Sequence, residues 1–197
     1  VITWGSVDSS SVAGELASGV TEVHSNNYAF AALKDDGSVV IWGNDDYGGD
    51  SSAVASDLAS GVSKIFSTNS AFAALKDDGS VVTWGMDGGD SSSVSSSLAS
   101  GVRHIVGNHY AFSALKDDGS VISWGVSGSG GTQVDTYSGG GGVDVSSELA
   151  SGVTKIVAAE SAFAALKEDG TVVAWGDSYY GGSTYNSSSS GKPNFTG

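Results

Sequence analysis

The stretch AFAALKDDGSVVIWG, residues 29–43, occurs four times with small changes. It returns as AFAALKDDGSVVTWG at 71–85, AFSALKDDGSVISWG at 111–125 and AFAALKEDGTVVAWG at 162–176. Self-similarity at such a period is the mark of a repeat architecture. Within the block, AFAALK has the length of a strand. Asp-Asp-Gly or Glu-Asp-Gly follows, and Asp-Gly accepts the positive φ that tight hairpins need. SVVIWG then supplies β-branched residues and a terminal aromatic, the composition of a second strand. Each block therefore predicts one hairpin.

A second block precedes each hairpin: SSSVAGELASGV at 9–20, SSAVASDLASGV at 51–62, SSSVSSSLASGV at 91–102 and GVDVSSELASGV at 142–153. Its Val and Leu stand four apart, as in Val54 and Leu58, which suits one helical turn stopped by Gly and equally suits an irregular strand. The pairs Val20 and Val23, Val62 and Ile65, Val102 and Ile105, and Val153 and Ile156 predict a further short strand before each hairpin. The predicted strands are apolar at nearly every position, which means burial on both faces. One repeat cannot bury both of its own faces, so the units must stack. Trp4, Trp42, Trp84, Trp124 and Trp175 mark the period and are expected to pack between repeats.

Composition narrows the function classes. The chain has 30 Gly among 197 residues but one Pro, a turn-rich composition rather than a polyproline one. Net charge is −14, which repels phosphate backbones and anionic lipid heads. Nucleic acid and membrane are therefore not expected partners. Without Cys there are no disulfides and no thiolate metal sites. The opening VITWG has no basic stretch leading into an apolar run, so no signal peptide is read there.

The pattern A-L-K-x-D-G-x-V-x-x-W-G resembles the repeat of the RCC1 family. The resemblance covers the chain up to Gly176 and implies an all-β fold, a β-propeller with about four strands per blade. It divides residues 1–176 into units 1–43, 44–85, 86–125 and 126–176, leaving 177–197 as a Gly/Ser-rich tail. Four units could form a four-blade propeller or part of a larger ring or array. The VITWG strand could complete the last blade. Where the family has Gly-Gln-Leu-Gly after Trp-Gly, this chain has GGD or Gly/Ser runs. The family's guanine nucleotide exchange activity is not carried over, because its surface residues and basic tail have no match here.

Nothing in the sequence has the form of a catalytic centre. His24, His104 and His109 show no metal-binding spacing. Asp45, Asp46 and Asp50 in NDDYGGD, with Asp87 and Asp90 in MDGGD, are the candidate metal ligands, since oxygen-rich loops suit Ca²⁺. Asp and Gly also simply make turns, and no cofactor is expected otherwise. Lys34, Lys76, Lys116 and Lys167 fill one slot before each turn and are read as solvated partners of the neighbouring acids. GSGG at 128–131 and GGGG at 139–142 read as flexible insertion.

The segments after Trp-Gly (44–50, 86–90, 126–142 and 177–190) vary most among repeats. They carry Tyr47, Tyr137, Tyr179, Tyr180 and Tyr185. Tyr among Gly, Ser, Asn and Asp is the chemistry of an adaptable binding surface. The SNNY and GNHY segments are the second candidate, expected at the opposite strand ends. The leading reading is a non-catalytic binding or structural module of a secreted or surface protein, with a protein or glycan ligand. A carbohydrate-binding lectin, Ca²⁺-assisted or not, is the second. A self-associating fibre or shell subunit is the third. Asn186 and Asn194 are formal glycosylation sequons.

Overall fold

In the computed structural model, residues 9–136 and 142–183 are described. Four sheets, each built on a three-stranded antiparallel meander, follow one another along the chain. The first contains β1 (Val20–Ser25), β2 (Ala29–Lys34) and β3 (Val39–Gly43). The second contains β4 (Val62–Ser67), β5 (Ala71–Lys76) and β6 (Val81–Gly85). The third contains β7 (Val102–Gly107), β8 (Ala111–Lys116) and β9 (Val121–Gly125). The fourth adds the short β10 (Asp135–Thr136) to β11 (Val153–Ala158), β12 (Ala162–Lys167) and β13 (Val172–Asp177). The molecule is an all-β, four-bladed propeller assembly.

Three of the sheets have three strands, not the four implied by the repeat resemblance. The segment where an outer strand would lie is instead coiled. In the LASG block a 3-10 turn such as Ser52–Val54 leads into a bond from the Leu58 amide to the Val54 carbonyl, 3.1 Å. The same i to i−4 bond joins Leu98 to Val94 and Leu149 to Val145. So the four-residue Val–Leu spacing records one helical turn. Only in the fourth blade does part of the long insertion pair, as β10 running parallel to β13.

The hairpins form as their sequences require. Gly37, Gly79, Gly119 and Gly170 have φ between 75° and 83°. Before each, an aspartate caps the turn: Asp36 Oδ1 accepts from the Ser38 amide at 2.9 Å and from its hydroxyl at 2.6 Å. Asp78, Asp118 and Asp169 repeat this pattern. Three of the lysines before these turns reach backbone carbonyls. Lys76 Nζ donates to the Asp57 carbonyl and Lys116 Nζ to the Ser97 carbonyl, both at 2.7 Å; Lys167 reaches the Glu148 carbonyl. Each ties the coiled LASG block to its own blade.

The core lies between blades. Ala29, Ala31 and Leu33 on one face of blade 1 meet Leu58, Val62, Ile65, Phe72 and Trp84 of blade 2. Ala71, Ala73 and Leu75 meet the equivalent residues of blade 3. Ala111 and Leu115 meet those of blade 4. The small residues let the next blade's Phe and Trp approach closely. Trp42, Trp84, Trp124 and Trp175 are all buried, each stacked on its cross-strand Phe with ring centroids 5.3–5.5 Å apart. Backbone bonds reinforce the joints: Val62, Val102 and Val153 donate to the Gly37, Gly79 and Gly119 carbonyls of the preceding blade at 2.9–3.0 Å. Trp4 and the VITWG strand lie outside the described residues.

Candidate functional site

A three-stranded meander has two ends. The Asp-Gly turns occupy one. The β1–β2 type connections and the loops after Trp-Gly share the other, because Ala29 pairs with Gly43 and Ser25 with Phe30. The SNNY and GNHY segments are therefore neighbours of the variable loops and not on the opposite side. Asn26 and Asn108 bind the two together. Asn26 Oδ1 accepts from the amides of Tyr28 and Ala29, both at 2.7 Å, while its Nδ2 donates to the Tyr47 carbonyl. Asn108 caps Tyr110 and Ala111 in the same way and donates to the Ser129 carbonyl at 2.6 Å. Thr68 takes the capping role in blade 2. The sequence signal was an Asn or Thr three residues before each of the first three Ala-Phe pairs, the spacing of an Asx or ST cap.

From each blade the next residue, Asn27, Asn69, His109 or Glu160, turns toward a common recess of about 580 Å³. A backbone chain runs round its rim: Asn27 N–H to the Asn69 carbonyl, Asn69 N–H to the His109 carbonyl, His109 N–H to the Glu160 carbonyl, at 3.0–3.2 Å. The recess is lined by amides, hydroxyls, one imidazole and one carboxylate. These groups can grip polar ligands by hydrogen bonds.

Outside the rim stand the aromatics. Tyr179 is 88% exposed and meets Tyr180 edge-on at 5.2 Å. Glu160 pushes the Tyr180 hydroxyl pKa up, with burial, Asp177, Tyr179 and Tyr110 adding to it. Glu160 also lies 3.5 Å from His109 Nδ1, and His109 is edge-on to Tyr110. His109, Tyr110, Glu160, Tyr179 and Tyr180 thus form one patch across the junction of blades 3 and 4. Tyr47 is not part of it; it stacks on Tyr28, centroids 4.2 Å apart. Tyr28 and Tyr110 belong to the SNNY and GNHY segments, the second candidate surface, and the structure sets them beside the loops after Trp-Gly. Tyr137, Tyr185, Asn186 and Asn194 lie outside the described residues.

The aspartates of the variable loops are dispersed. Asp50 and Asp90 use Oδ1 to accept the Ser52 and Ser92 amides, which holds their pKa values below the ordinary carboxylate range. Asp45 and Asp46 sit in the 3-10 turn Asp45–Tyr47, capped by Asn44. Asp87 occupies a left-handed position at φ 40°. Among the described residues no three His, Asp or Glu side chains gather as a metal centre. His104 and His109 have separate surroundings: His104 meets Phe66 of the preceding blade, and burial, then Lys64 and Arg103, lowers its pKa.

Each of the first three loops after Trp-Gly is pinned to the next blade. Trp84 Nε1 donates to the Gly48 carbonyl, Trp124 to Gly88 and Trp175 to Gly130, at 3.0–3.2 Å. Comparison with solved structures follows this geometry. Yeast RCC1 (Prp20), in its complex with Kap60, matches with a TM-score of 0.57 at 17% identity, over 80% of this chain and 43% of that one. The fold is that of an RCC1-type β-propeller. Prp20p from Saccharomyces cerevisiae in a second structure matches at TM-score 0.51 and 16% identity, over 89% of this chain and 47% of that one. Human WBSCR16 matches at 0.52 and 18%, over 80% and 47%. The chain spans less than half the length of these proteins. No family model matches the chain, and no curated protein matches it.

Proposed function

We propose that this chain is a non-catalytic interaction module that binds a cationic protein segment on the loop face around the central recess. One observation carries the reading. Differences among repeats collect at that end, where the rim residues are Asn27, Asn69, His109 and Glu160, while the far turns read DDGS three times and EDGT once. Identical ends serve packing; the end that differs, and presents Tyr110, Tyr179 and Tyr180 beside Glu160, has the chemistry of contact. The net charge of −14 favours a basic partner and disfavours an acidic one. Proteins of this fold support a protein partner: yeast RCC1 (Prp20) is bound to Kap60, and Prp20p has binding properties to Gsp1p and histones.

The test is a peptide array spanning basic, neutral and acidic sequences, with a glycan array in parallel. The retained peptides should be rich in Lys and Arg. Their binding should weaken as salt rises and vanish when Tyr110, Tyr179 and Tyr180 are together changed to Ser. Peptide binding untouched by the triple change would reject this face. Binding to glycans alone would move the reading to a lectin using the same recess.

A further inference from the structure

The molecule makes one kind of joint three times, and among the described residues part of each half of that joint is exposed at its two ends, although Leu16, Ala32 and Trp42 at the front of blade 1 stay buried. At the front of blade 1, Val23 is 47% exposed; its equivalents Ile65, Ile105 and Ile156 are 1–3% exposed. At the back of blade 4, Leu166 is 42% exposed; its equivalents Leu33, Leu75 and Leu115 are 2–5% exposed. Val157, on the same strand row as the half-buried Phe66 and Val106, is also exposed on blade 4.

The polar parts of the joint are unmatched in the same register. Trp42 Nε1 is buried and has no hydrogen-bond partner among the described residues, whereas the other three described indoles donate to a loop glycine of the preceding blade. The loop glycine that follows blade 4 is Gly181. A Cβ built there meets nothing within 4 Å, while at Gly48, Gly88 and Gly130 it would sit 2.7–3.3 Å from a Phe ring of the next blade. Gly170 likewise faces open space, while Gly37, Gly79 and Gly119 would each press on backbone of the next blade at 2.8 Å.

We propose that a second copy of this chain docks head to tail, the back of blade 4 on one copy against the front of blade 1 on the other. Leu166 and Val157 then cover Val23 and Phe30 of the second copy, and the Gly181 carbonyl accepts the orphan Trp42 indole N–H. The occupant is a second copy because the two open surfaces are the two halves of the joint already present at blades 1–2, 2–3 and 3–4. Such an interface is heterologous, and closes a ring if two copies meet at both ends. Gly181 adjoins Tyr179 and Tyr180 of the loop face, but Leu166 and Val23 do not line the recess and are untouched by the triple tyrosine change, so the two tests are read separately.

The experiment is sedimentation velocity of the full chain over a concentration series, in about 0.15 M salt to screen the acidic surfaces. The expected species is heavier than the 19.6 kDa chain. Leu166→Asp and Val23→Asp should each sediment as monomer. Both sites face solvent in the single chain, so unchanged circular dichroism melting curves verify their folding. Mixed in equal amounts, the two variants should recover a dimer, since one undamaged joint can then form between them. A wild type at monomer mass at every concentration would overturn the proposal, whether its own termini cover the ends or water does. Assembly that both substitutions leave intact, or a mixture that stays monomeric while the wild type assembles, would overturn it too.

Discussion

The tryptophans do the same work at each joint, and one substitution measures it. Trp84 is 5% exposed, stacks on Phe72 and donates to the Gly48 carbonyl. Trp84→Ala removes the ring from the first joint and leaves that carbonyl without its donor. A loss of ~3–5 kcal/mol is expected for a buried Trp. Against a domain stability of about 5–15 kcal/mol, that is a large shift in the urea midpoint. A midpoint equal to wild type would place Trp84 outside the joint. The burial was legible in the sequence because Trp recurs at a fixed place in each unit. The indole bond was not, because its acceptor is a backbone atom of the preceding blade's loop, and no side-chain pattern announces a backbone acceptor.

At the scale of the element, the hairpin is the most legible part. Asp-Gly fixes the turn, and the β-branched run after it fixes the strand. The carbonyl contacts of Lys76 and Lys116 were not legible, since they depend on where the coiled LASG block folds back, 19 residues earlier in the chain. The side on which each loop emerges follows from strand parity: three antiparallel strands put the first connection and the final exit at one end. The turn aspartates carry a pH signature. Hydrogen bonds from the Ser38, Ser80, Ser120 and Thr171 hydroxyls, then from their amides, hold Asp36, Asp78, Asp118 and Asp169 below the ordinary carboxylate range. A carboxylate lowered by folding adds stability above its unfolded pKa and loses it as pH falls through the folded value. The melting temperature should therefore hold from neutral pH to about pH 5 and fall below about pH 4. Changing all four to Asn keeps an acceptor oxygen but removes the proton equilibrium, so the acid limb should flatten in calorimetric scans. An acid limb as steep as wild type would assign the effect to other groups.

The whole molecule is a row of joints rather than a single enclosed core. Its stability is expected to be a sum of blades and nearest-neighbour interfaces. That organisation explains how one end can vary while the strands stay alike: packing constrains the faces, whereas the loop end is held by side-chain caps and by bonds to backbone carbonyls, which most residue types can supply. The binding patch was half legible. Tyr179 and Tyr180 were visible as loop aromatics, whereas Tyr110, His109 and Glu160 join them only when blades 3 and 4 are set side by side. The account rests on blade-to-blade docking, and hydrogen exchange at single amides tests it most directly. The amides of Val62, Val102 and Val153 bond only across joints, to Gly37, Gly79 and Gly119, and those of Val39, Val81 and Val121 bond to Leu58, Leu98 and Leu149 of the block leading into the next blade. All six should exchange as slowly as the central strands β5 and β8. Exchange at the rate of exposed loops, with β5 and β8 still protected, would show folded hairpins that do not dock and would contradict the propeller.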